Sequence, residues 1–155
     1  MSSEEQESDE IVRYRTQEMD LELPTALVDQ SVNVFVTTTK GPSDYTVVIN
    51  RAPLERGQDL QGYVDEQVGM LRKSVARYDL RLRDDTEVDG KDAISLESSW
   101  VQNNVPIEQR QVVIGLGDRV IMLTLTAQGS IRPIWWRAFD DLLESIRFRE
   151  GTVSA

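Results

Sequence analysis

Cysteine and histidine are both absent from the 155-residue chain. Their absence excludes thiol nucleophiles, thiolate metal sites, disulfides and imidazole acid–base chemistry. It also removes the cysteine to which a bacterial lipoprotein attaches its lipid. Positive charge is scarce: 17 Lys and Arg stand against 27 Asp and Glu, a net charge of −10. Nucleic-acid binders concentrate positive charge, so nucleic acid is not an expected partner. The acidity serves solubility or steers a basic partner. No run approaches the ~18 apolar residues of a membrane span. The stretch from Met1 to Glu10 is acidic and polar, without the basic and apolar regions of a secretory signal. These absences point to a cytoplasmic chain with no direct membrane anchor.

The length predicts one domain, large enough to bury about 70% of the surface its unfolded chain exposes. Residues 1–10 lack apolar anchors and are expected to be disordered, residues 11–149 to form one α+β domain, and residues 150–155 to be a flexible tail. Ile11–Arg15 and the alternating Met19-Asp20-Leu21-Glu22-Leu23 read as strands, the second ended by Pro24. Ser31–Thr39 and Tyr45–Asn50 read as a hairpin around Gly41-Pro42-Ser43-Asp44. A helix follows, capped by Gln58 or Asp59, with Leu60, Val64, Val68, Leu71, Val75 and Tyr78 on one face.

Four further strands cover 80–84, 93–100, 107–114 and 119–127. Val88–Asp92 around the Asp89-Gly90 pair, Asn103–Pro106 and Gly115–Asp118 supply the turns. Ser130 is the expected cap of a last helix in which Trp135, Phe139, Leu142, Leu143 and Ile146 share a face, with Pro133 tolerated in its first turn. Hairpin-sized connections predict a largely antiparallel twisted sheet of six or more strands, with both helices packed on one face.

No motif carries catalysis. Gly115-Leu116-Gly117-Asp118 lies between strands, and a dinucleotide site needs its glycines to open a helix. Asp84, Asp85, Glu87 and Asp89 do not have the spacing of a calcium loop. Glu97, Asp140 and Asp141 have no nameable nucleophile or oxyanion partner beside them. The expectation is a protein that is not an enzyme and uses no metal or cofactor. Trp135 reads as core; Trp136 points elsewhere and is a candidate dimer contact.

The strands are informative in themselves. Val32, Val34 and Val36, the series Thr46, Val48, Asn50, and the series Val120, Met122, Thr124, Thr126 hold apolar or mildly polar residues where a solvated face would show Lys, Glu and Arg. Two accounts fit: the second face is covered by the N-terminal segment and self-association, or it forms a groove for an apolar ligand or peptide.

Leu21-Glu22-Leu23-Pro24, Asp29-Gln30-Ser31-Val32-Asn33, Val48-Ile49-Asn50-Arg51-Ala52-Pro53, Leu60-Gln61-Gly62-Tyr63-Val64 and Val88-Asp89-Gly90-Lys91-Asp92-Ala93 occur in an order and spacing that resemble the DcrB-related family, and within it the Eag chaperones of type VI secretion effectors. The similarity runs over roughly residues 11–148. It implies a PsbP-like fold, a homodimer, and binding in the cytoplasm to the N-terminal transmembrane segments of a secreted effector, which the chaperone shields and helps load onto the secretion spike. The candidate effector-binding residues are Leu21, Leu23, Val34, Val36, Thr46, Val48, Gln109 and Gln111. Leu21 and Leu23 fit a core role equally. The alternative from another functional class is a small-molecule or lipid carrier using the same face.

Overall fold

The computed structural model describes residues 11–24, 26–27, 30–38, 40 and 43–149. The expectations for residues 1–10 and 150–155 lie outside them. The chain divides into two compact units, Met1–Gln30 and Ser31–Ala155. In the first, β1 (Ile11–Arg15) and β2 (Asp20–Pro24) pair antiparallel, with Tyr14 opposite Leu21. Leu21 and Leu23 are half-buried while Asp20, Glu22 and Pro24 are exposed, the period-two pattern of a one-faced strand. The turn is closed by the Thr16 N–H donating to the Met19 carbonyl at 2.9 Å.

The second unit contains β3 (Asn33–Val36), β4 (Tyr45–Pro53), α1 (Leu60–Ser74), β5 (Asp79–Val88), β6 (Lys91–Gln102), β7 (Val105–Leu116), β8 (Arg119–Gln128) and α2 (Pro133–Ser145). Its six strands form one antiparallel sheet in the order β3-β4-β8-β7-β6-β5. From β5 to β8 the chain is a meander with two-residue loops. Asp89 and Gly90 have φ of 47° and 76°, and Asn103 and Asn104 have φ of 50° and 63°. Two successive left-handed residues match the twist of the flanking strands, and Asn, Asp and Gly adopt that conformation at least cost. β4 then pairs with β8 along its whole length.

Asp59 is the α1 cap, its Oδ1 accepting the Gly62 N–H at 2.8 Å. Tyr63, Val64 and Val68 are the buried face of α1, and Arg72 and Lys73 in its last turn complement the helix dipole. Tyr78 lies beyond the helix end but packs on the same cluster. α2 begins later than expected. Ser130 does not cap it: Arg132 occupies the cap position without a side-chain bond, and Pro133 is the first helical residue. Ile131 is drawn into the core, and its N–H donates to Glu108 Oε1 at 3.0 Å. The helix therefore starts with a proline that has no N–H to satisfy.

The α+β class, the antiparallel six-stranded sheet and the two helices are as expected. The placement of the helices is not: they pack on opposite faces. Phe139, Trp135 and Leu142 of α2 join Tyr45, Leu123, Leu125, Val112 and Ile114. Tyr63, Val64 and Val68 of α1 join Ile94, Leu96, Val113, Val120 and Met122. Along β8 the odd residues thus face α2, while the even residues Val120 and Met122 meet α1. The two-sided apolar character of β7 and β8 follows from this sandwich. Each sheet face loses water beneath its own helix, so neither reads as a solvated face.

Candidate functional site

The period of two along each strand and the hairpin registers bring six of the eight candidate residues onto the α1 face. One cross-strand row runs Val34, Val48, Thr124, Gln111, Leu96; the next runs Val36, Thr46, Thr126, Gln109, Ser98. Directly opposed residues of an antiparallel pair project to the same side, so Val34, Val36, Thr46, Val48, Gln109 and Gln111 form one contiguous patch. α1 covers the neighbouring part of this face, over Ile94, Val113, Val120 and Met122. At the β3 edge Val34 and Val36 remain 57% and 46% exposed.

Four polar side chains of this face are paired across strands. Gln111 Nε2 donates to Thr124 Oγ1 at 3.0 Å, and Gln109 Nε2 donates to Thr126 Oγ1 at 3.4 Å. Where the patch runs under α1, a groove of about 330 Å³ opens between Gln67 and Leu71 of the helix and Asn50, Gln109 and Gln111 of the sheet. Asn50 Oδ1 lies in it, buried and without a hydrogen-bond partner among the described residues. A buried acceptor left unpaired costs about 1–3 kcal/mol, so it favours a donor brought by water or by a ligand. At the groove's inner end the Tyr63 hydroxyl donates to Met122 Sδ at 3.5 Å. Burial, and then the nearby Glu66 carboxylate, raise the Tyr63 phenol above its ordinary pKa.

The other two candidates, Leu21 and Leu23, belong to the first unit, where they form the half-buried side of β2. Trp136, the candidate dimer residue, is half-buried in α2. Its ring lies 5.1 Å from the Arg110 guanidinium, which also sits 5.1 Å from the Phe139 ring and pairs with Asp140 Oδ1 at 2.5 Å. Trp135 is core, stacked on Tyr45 with centroids 4.4 Å apart. Asn50, Gln67, Thr124 and Thr126 belong to the patch but were not among the expected site residues. The alternation along 119–127 puts Thr124 and Thr126 on one face, but their pairing with the glutamines follows from a two-residue loop where a four-residue turn was expected; Gln67 depends on which face α1 takes.

Among the described residues no group of three or more acidic, His or Cys side chains is placed to hold a metal ion, and no helix is long and apolar enough to cross a membrane. What the fold offers is a surface: valines at an open sheet edge, running into Thr and Gln pairs and a groove beside a helix. Such a face combines exposed apolar area with side chains that can donate and accept hydrogen bonds. The chain belongs to the DcrB family, whose model matches residues 18–145. It is 30% identical over 135 residues to the Pseudomonas aeruginosa protein described as "Effector EagT6", covering 84% of this chain and 94% of that protein. The resemblance to the Eag group is thus borne out. A solved Pseudomonas aeruginosa structure, PA94, described as a protein of unknown function and putative regulator, overlays with a TM-score of 0.79 at 28% identity, covering 91% of this chain and 99% of its own. LpqN of Mycobacterium tuberculosis, described as involved in cell envelope biogenesis, shares the fold at a TM-score of 0.55 and 13% identity, over 76% of this chain and 83% of its own.

Proposed function

We propose that this chain is an Eag-type chaperone that acts in the cytoplasm as a homodimer, shields the hydrophobic N-terminal segments of a type VI secretion effector and aids its loading onto the secretion spike. The relationship to EagT6 over nearly all of that protein supports the class. The observation that carries the choice of ligand is the contiguous Val, Thr and Gln patch at the open end of the α1 face. A transmembrane helix in water recovers roughly 25 cal/mol for each Å² of apolar surface it buries, and Val34, Val36 and Val48 offer such surface. Thr and Gln side chains hydrogen-bond the polar atoms such helices carry, as they do between helices in a membrane. A second copy of the patch in a homodimer doubles the covered area.

Co-expression with the N-terminal segment of an effector should keep that segment in solution as a complex with this chain. A segment that stays equally dispersed when the chain is omitted would sink the proposal.

A further inference from the structure

The face opposite the Thr and Gln patch carries a second groove, of about 470 Å³, between the end of α2 and strands β4 and β8. Val47, Ile49, Ile121 and Leu123 floor it, and Leu142 and Phe148 wall it. It falls within the ~300–1,000 Å³ range of small-molecule sites. At about 30 Å³ per methylene, roughly the volume share of one liquid water, it has room for one acyl chain and not for the two of a diacyl lipid.

Three arginines complete the lining, Arg51, Arg147 and Arg149. Arg51 is anchored by donating from Nη1 to the Ser31 carbonyl at 3.0 Å and to Asn33 Oδ1 at 3.2 Å. Arg147 donates from Nη1 to the Glu144 and Ile146 carbonyls at 2.8 and 2.6 Å, so the end of α2 holds it at the groove. Among the described residues none of the three forms an ion pair with a carboxylate. In a chain of net charge −10, three guanidinium groups around one apolar groove, without carboxylate partners among the described residues, suit an anion with a tail. The guanidinium fork matches a carboxylate bidentately.

We infer that this groove binds a single-chain carboxylate amphiphile, a medium-chain fatty acid, with its tail along Val47, Ile49, Ile121 and Leu123 and its carboxylate at the arginines. The site lies on the face opposite the proposed effector patch, so either proposal can fail without the other.

The test is calorimetric titration of the full chain with decanoate below its micelle concentration. Octanoate reads the tail and decylammonium reads the head group. Decanoate should bind at least tenfold more tightly than decylammonium. Octanoate should bind about fifteenfold more weakly than decanoate, from about fourfold per buried methylene. Arg147→Ala/Arg149→Ala should weaken decanoate at least tenfold and leave decylammonium no weaker. Because Arg147 also caps α2, Arg149→Glu, at an exposed residue, is the second variant and should act in the same direction. Equal binding of the two head groups, unchanged decanoate binding in both variants, or no decanoate binding at millimolar concentration would overturn the inference.

Discussion

Replacing both edge valines, Val34→Ala/Val36→Ala, separates binding from folding at the proposed effector patch. Each substitution removes two methyl-sized groups, worth about 1.6 kcal/mol if fully buried at ~0.8 kcal/mol per group. The two side chains are 57% and 46% exposed in the free protein. About half of that burial, ~0.8 kcal/mol per position, is therefore left for a ligand to provide. Together they contribute about 1.6 kcal/mol, or roughly a fifteenfold weaker Kd. The same exposure makes them nearly irrelevant to folding: exposed substitutions usually fall within about 0.5 kcal/mol, a shift in Tm of no more than about 4 °C. The assay is a fluorescence titration with a labelled apolar helix of about 20 residues containing a few Ser or Asn, alongside thermal melts of each variant. Phe35→Ala is the matched control. Phe35 is 55% exposed but opposes Val47 on the other face, so its loss should leave the Kd unchanged. An unaltered Kd in the double variant, or an equal loss in the Phe35 variant, would refute the assignment of the patch.

Two further perturbations test the scaffold. Phe139→Ala removes the buried anchor of α2, 3% exposed and packed against the Arg110 guanidinium, and should cost about 3–5 kcal/mol in urea unfolding. Asp59→Ala removes the acceptor of the Gly62 N–H at the start of α1 and should cost about 1 kcal/mol, read as a lower urea midpoint with an unchanged slope.

Part of the proposed binding face was legible in the sequence. The turn expected at Gly115–Asp118 already puts Gln109, Gln111, Thr124 and Thr126 on one face, but the strands run on to Leu116 and Arg119, and the two-residue loop that results sets Gln111 against Thr124 and Gln109 against Thr126. The hairpin between β3 and β4 was expected, but its longer connection fixes no register, and the pairing of Val34 with Val48 and Val36 with Thr46 is seen only in the folded sheet. The non-local pairing of β4 with β8 leaves no comparable local signal, since no turn joins the two strands. Helix placement was illegible for a related reason. The periodicity of Leu60, Val64 and Val68 tells which side of α1 is buried, but nothing in it says which side of the sheet receives that stripe. The apolar residues on both faces of β8 were in fact the trace of two helices on two faces, so Val120 and Met122 are core and only the rows at the β3 end stay open. The groove holding Arg51, Arg147 and Arg149 leaves no local pattern in the sequence, because these residues come from β4 and from beyond α2, nearly a hundred positions apart.

The strand order has a consequence for the birth of the protein. β5 through β8 form a meander whose every pairing is local, so it can assemble soon after its residues exist. Of the strands in this sheet β3 and β4 are made first, yet their place is beside β8, with Tyr45 waiting for Ala127 and Pro53 for Arg119. Chains fold more slowly when contacts span long separations, because loop closure must precede the contact that rewards it. The valine-bearing hairpin therefore has no β8 edge to pair with until residue 128 has been made. The surface proposed to guard another protein's sticky segments is, in a nascent chain, the part of this one most in need of guarding.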